Sequence, residues 1–153
     1  MLDMASVFHI GYAVKNMKRS VKTWEKSGAE LVVAPAIDPI QNVECCLFIW
    51  QGAAAIELVA PLSGVASPID NRLSKGGGLD HICLFTDDME SDIAATLAEG
   101  SVLVVPSCYG AVFDRKLAFV QTRMGLTVEY MNRKAEGQVS IDPLRDYFSR
   151  ASQ

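Results

Sequence analysis

The chain has 153 residues, 50% of them hydrophobic and 21% charged, with a formal net charge of -4. A chain of this size buries about two-thirds of its unfolded surface in one compact domain without needing disulfides, and its acidic balance lacks the basic face that nucleic-acid binding requires. No apolar run reaches the roughly 20 residues of a membrane span, and the N-terminal "MLDMASVFH" has neither the basic start nor the apolar stretch of a signal peptide, so a cytoplasmic location is the default.

In chain order, "VFHIGYAV" is an apolar run suited to a strand. The following "NMKRSVKTWEKSG" predicts a helix capped by Asn16, with Met17, Val21 and Trp24 on one face and Gly28 as the left-handed stop. Three strand-like stretches come next: "AELVVAP", "VECCLFIW" and "AAAIELVA". A linker over 61–78 holds a short helix opening at Ser67-Pro68 and ends in three glycines. "GLDHICLFT" then reads as a strand. After it, Asp87 with Glu90 has the form of a capping box for a helix bearing Met89, Ile93 and Leu97 and ending at Gly100. Strands follow again in "SVLVVPS", "RKLAFVQT" and "LTVEYMN". In the tail, Asp142-Pro143 repeats the start signal, and Leu144, Tyr147 and Phe148 give a terminal helix an apolar edge for docking or for a subunit contact.

The order strand, helix, three strands thus occurs twice. Sliding the sequence against itself gives one constant, gap-free offset of 72 residues. It superimposes His9 on His81, Glu57 on Glu129, Gly28 on Gly100 and Leu31-Val32-Val33 on Leu103-Val104-Val105. Residues 1–153 form a single domain of repeat 7–60, linker 61–78, repeat 79–132 and tail 133–153. The expected fold is α+β, two tandem βαβββ units making a cup-shaped mixed sheet.

The four cysteines, Cys45, Cys46, Cys83 and Cys108, have neither zinc-finger nor redox-pair spacing. Neighbours on one strand, Cys45 and Cys46 point to opposite faces and cannot clasp one metal. They read as reduced, apolar filler.

Taken singly, a strand histidine is a hydrogen-bonded structural residue, and a glutamate between apolar neighbours faces water. Their pairing alters that reading, because a repeat that drifts elsewhere keeps both histidines and both glutamates in step. In "AIELV" and "TVEYM" an unpaired buried carboxylate would cost several kcal/mol, which a cation would offset. A pseudo-twofold axis brings His9, Glu57, His81 and Glu129 together. Two imidazoles and two carboxylates suit a divalent ion, Zn, Co, Ni, Mn or Fe(II), with positions left for water or substrate oxygens.

Paired βαβββ units with His and Glu ligands resemble the vicinal oxygen chelate superfamily of glyoxalases, bleomycin resistance proteins and dioxygenases, from about Val7 to Asn132. Within it, "HIGYAV", "IELVAPLSGVASPIDNRLSKGGGLDHIC" and "VEYMN" are most similar to the methylmalonyl-CoA epimerases. The resemblance implies that His9, Glu57, His81 and Glu129 bind the metal. It further implies a small-molecule substrate such as an acyl thioester, proton abstraction beside a polarised carbonyl, and a homodimer. It departs in two places. Where the epimerases carry a catalytic Glu in a Glu-x-Gly-Val pattern, this chain has "IQNV", with Ile40 in the Glu place and Asn42 in the Gly place. Asp80 stands where another histidine is common.

Loss of that base leaves Glu129, or its mate Glu57, as ligand and base together, or the nearby Glu44 as substitute. Other readings are a glyoxalase I-type lyase, a dioxygenase, disfavoured by the fourth ligand, and a non-catalytic binding protein, disfavoured by the retained ligands. Trp50, Phe48 and Phe119 suit either a cavity wall or the core. Arg115 and Lys116 suit an anionic substrate group or a solvated pair, and Arg72 and Lys75 a phosphate-bearing carrier.

Overall fold

The computed structural model describes residues 7–152, so the segment read above for targeting begins outside the described residues. The elements are β1 (Val7–Ala13), α1 (Met17–Lys26), β2 (Glu30–Asp38), β3 (Val43–Trp50), β4 (Ala54–Pro61), α2 (Asp70–Ser74), β5 (Gly78–Thr86), α3 (Met89–Ala98), β6 (Val102–Gly110), β7 (Arg115–Gln121), β8 (Thr127–Asn132) and α4 (Arg145–Ala151). Among them no helix is long and apolar enough to cross a membrane.

The strands form one sheet in the order β2-β3-β4-β1-β5-β8-β7-β6. Its centre is the antiparallel β1/β5 seam, where the two repeats meet. Within each repeat the first strand pairs parallel with the last. Gly11 lies beside Glu57 and, one repeat later, Cys83 lies beside Glu129. The duplicated sequence therefore folds into duplicated registers.

Alternation along each strand sorts side chains between two faces. Cys46, Phe48, Ile56 and Leu58 turn outward under Met17 of α1, while Ala118, Val120, Val128 and Tyr130 pack under Met89 of α3. Burying each large apolar side chain contributes about 1.5–3 kcal/mol. The opposite face carries Cys45, Leu47, Val59, Cys83, Leu117 and Met131 and curls round a cavity lined by strands of both repeats. As expected, Cys45 and Cys46 fall on opposite faces, and all four cysteines are free.

Capping fixes the helix starts. The Asn16 carboxamide accepts the Arg19 N–H at 2.9 Å, and Gly28 and Gly100 take the left-handed φ values of +87° and +96° that end α1 and α3. In the second repeat the cap is Asp88, not Asp87. Asp88 donates its N–H to Thr86 Oγ1, which delays helix entry by one residue, and its carboxylate accepts from Ser91 N–H at 3.1 Å. Asp87 instead faces Arg133.

The terminal helix docks on its own chain. Leu144 is fully buried, and Tyr147 and Phe148 lie against Phe8 and Phe85, with ring centroids 4.9 and 5.5 Å apart. Its anchor is Arg115, which is 1% exposed and therefore neither a solvated surface residue nor a substrate contact. Arg115 donates to both Asp142 oxygens, at 2.7 and 2.9 Å, and to the Phe113 carbonyl at 2.8 Å. Hydrogen bonding from Arg115 holds the Asp142 carboxyl below its ordinary 3.8. A depressed carboxyl adds stability that is present above pH 3.8 and lost as pH falls through the folded value. Asp142→Ala should lower stability at pH 7 by about 2 kcal/mol, with the deficit closing in acid, as measured by urea denaturation across pH. A deficit unchanged down to pH 3 would contradict the clamp.

Candidate metal centre

His9 on β1, Glu57 on β4, His81 on β5 and Glu129 on β8 converge, each nine-tenths or more buried, and the last three line the cavity. The two Nε2 atoms are 3.2 Å apart. Glu57 Oε2 lies 2.7 Å from His9 Nε2 and 3.2 Å from His81 Nε2, and Glu129 Oε2 lies 3.2 and 3.1 Å from the same atoms. Donors on adjacent vertices around a cation with bonds of about 2.1 Å stand about 3.0 Å apart, so these spacings fit a first-row divalent ion. Both carboxylate Oε2 atoms are buried with no partner outside the cluster, and His9 Nδ1 is buried with none at all. Native proteins rarely tolerate such orphans, and a cation supplies the partner that the two oxygens lack. The residues present fit the group.

Burial works against charge on all four groups, yet the cluster overrides it. Desolvation would lower the His9 and His81 pKa values, but the adjoining carboxylates, and Asp80 for His81, raise both above 6.5. Burial likewise opposes ionisation of Glu57 and Glu129, and the imidazoles bring both below 4.5. Two protons on the imidazoles and one cation between them are thus alternative ways of balancing the same two carboxylates.

Gly11 makes room for this packing. A Cβ on it would fall 2.1 Å from Cε1 and 2.5 Å from Nε2 of His81. Its φ is unexceptional, so the requirement is for space. A glycine inside a strand pattern signals close approach, and that was the available cue to this residue.

The cavity above the centre measures about 910 Å³, the size of a site for a sizeable ligand. Of the aromatics expected at its wall, only Phe119 serves, its ring edge-on to His81 at 5.3 Å. Phe48 is core under α1, and Trp50 packs on Trp24. Arg72 on α2 lines the cavity, whereas Lys75 does not.

Glu44 does not join the cluster. Strand alternation puts it on the helix side with Cys46 and Phe48, in a shallow groove beside Lys15, Lys18 and Glu25. The base role expected for it is therefore withdrawn. Ile40 and Asn42 line the cavity, and Asn42 has φ +55°. That left-handed conformation favours Gly and admits Asn, which accounts for the one substitution, while Ile40 brings no ionisable group.

Two repeated βαβββ units, one continuous curled sheet and four converging donors define a class of protein. The family model described as Glyoxalase/Bleomycin resistance protein/Dioxygenase superfamily matches residues 8–119, and the chain belongs to that superfamily. Among its relatives is the mitochondrial methylmalonyl-CoA epimerase of Dictyostelium discoideum, 30% identical over 133 residues, covering 84% of this chain and 78% of the relative. The fold is also that of the methylmalonyl-CoA epimerase of Mycobacterium tuberculosis, with TM-score 0.74 and 23% identity over 89% of this chain and 95% of that one. A Streptomyces coelicolor methylmalonyl-CoA epimerase, solved in complex with 2-nitronate-propionyl-CoA, superposes with TM-score 0.71 at 21% identity, over 85% and 98% of the two chains.

Proposed function

We propose that the protein is a metal-dependent epimerase or isomerase acting on an acyl-CoA thioester. The observation that carries this reading is the buried cluster of His9, Glu57, His81 and Glu129, in which Oε2 of each glutamate has no partner outside the cluster. A divalent ion held there would supply Lewis acidity, polarising a carbonyl or thioester oxygen and making the adjacent C–H more acidic.

The chain's own residues account for the rest. The apolar walls, among them Val112, Phe113, Leu117 and Phe119, keep water from the reacting carbon. Arg72, the single Lys or Arg among the described residues lining the cavity, offers a charge to an anionic substrate group. For the proton there are few acceptors. Asp38 lines the cavity, but it accepts from the N–H groups of Ile40, Gln41 and Ala111 and from the Gln41 carboxamide. Asp80 is held by His81 Nδ1. With Ile40 inert and Glu44 on the far face, Glu129 is the acceptor in this reading and Glu57 its mate.

The relatives named above are methylmalonyl-CoA epimerases, which makes methylmalonyl-CoA the first substrate to try. Metal-loaded protein in deuterated water should exchange the α-proton of this thioester and interconvert its epimers, followed by proton NMR. Protein that binds metal yet exchanges no α-proton in any of a panel of acyl-CoA thioesters would overturn the assignment.

A further inference from the structure

We propose that Asp80 is a positioning residue of the metal centre, holding the His81 ring from behind so that its Nε2 points at the other three donors. This inference rests on the metal reading above and assigns a task to a residue that breaks the repeat.

The β1/β5 seam is irregular beside His81. Register runs from Gly11 opposite His81 directly to Tyr12 opposite Leu79, which leaves Asp80 as the extra residue of a bulge. Neighbours on a regular strand face opposite ways, but a bulge re-aims one of them. Asp80 and His81 accordingly both line the cavity. There the Asp80 carboxylate lies 2.9 Å from His81 Nδ1. With Nε2 turned to the cluster, Nδ1 carries the proton and donates it to Asp80, the arrangement that fixes the tautomer and ring of a ligating histidine.

The first repeat repeats the bulge without the carboxylate. Register passes from Val7 opposite Leu84 to His9 opposite Cys83, so Phe8 is the extra residue there, and Phe8 is the 72-residue mate of Asp80. Its ring packs edge-on to His9 at 4.5 Å and under Tyr147 of α4. His9 Nδ1 has no hydrogen-bond partner. Two histidines equivalent by duplication are thus oriented by different forces, His9 by aromatic packing at the end sealed by α4, and His81 by a charge-assisted hydrogen bond at the end that opens to the cavity.

The test uses full-length protein with Co²⁺ and Zn²⁺ as probes. Calorimetric titration with Co²⁺ should show Asp80→Ala binding about 10–100-fold more weakly than wild type, with Asp80→Asn between them because the amide oxygen still accepts the Nδ1 proton. Asp87→Ala, which removes an exposed carboxylate facing Arg133 and outside the cavity lining, should retain affinity within about threefold. In the Zn²⁺-loaded wild type, the His81 Nδ1 proton should give a slowly exchanging signal in ¹H–¹⁵N spectra that is lost in Asp80→Ala. Asp80→Ala binding Co²⁺ as tightly as wild type, with the Nδ1 signal unchanged, would overturn the assignment. So would full affinity combined with abolished α-proton exchange, since that pattern makes Asp80 the proton acceptor itself. Failure of the wild type to bind either ion would instead sink the metal reading and is distinguished by that result alone.

Discussion

Gly11→Ala is expected to cripple the centre although residue 11 carries no chemistry. The added methyl would overlap three atoms of the His81 imidazole at 2.1–2.5 Å. Either the ring swings off the cluster or the β1/β5 seam opens, and the seam is the junction of the two repeats. Overpacking of this kind costs about 1–3 kcal/mol, and displacing a reacting geometry by about 1 Å costs about 10²-fold in rate. The variant should fold with a lowered melting temperature, bind metal at least about tenfold more weakly, and lose about two orders of magnitude in α-proton exchange. Calorimetry and proton NMR on one preparation check all three. Wild-type metal affinity in Gly11→Ala would show that the ring has free space elsewhere and that the tight seam is unimportant.

The second large effect is expected from Glu129→Gln. Glutamine preserves shape and one acceptor oxygen while removing the charge, so the fold should survive where a truncation would leave a hole. The charge matters twice in this account: once in holding the ion and once in taking the proton. Removal of a general base costs about 10²–10⁴-fold, and weakened metal binding adds to it. Exchange of the α-proton should fall about 10³-fold or more even at saturating metal. Glu57→Gln separates the two contributions. If Glu57 serves only as a ligand, excess metal should restore most of its activity but not that of Glu129→Gln. Equal recovery of both variants would show that neither carboxylate handles the proton.

Most of the architecture is legible in the sequence because duplication writes it twice. A constant offset of 72 residues pairs His9 with His81 and Glu57 with Glu129, and the same offset relates Gly11 beside Glu57 to Cys83 beside Glu129 in the folded sheet. Alternation gave Cys45 and Cys46 opposite faces. The same rule, applied to Glu44, assigns it to the face of Cys46, but which face holds the cavity depends on the curl of the whole sheet. Bulges are another matter. Nothing in "VFHIG" or "LDHIC" announces that Phe8 and Asp80 are extra residues, so the carboxylate behind His81 has no local signature in the sequence. Arg115 misleads for a related reason, since its partner Asp142 lies 27 residues away in a tail that local patterning does not connect to β7.

The most direct test of a shared metal centre is anomalous X-ray diffraction from crystals of the protein loaded with Co²⁺, recorded above the cobalt absorption edge. One strong peak per chain is expected, about 2.1 Å from Nε2 of His9, Nε2 of His81 and an oxygen each of Glu57 and Glu129. A peak elsewhere on the chain, or four unliganded side chains hydrogen-bonded to one another around an empty centre, would contradict it.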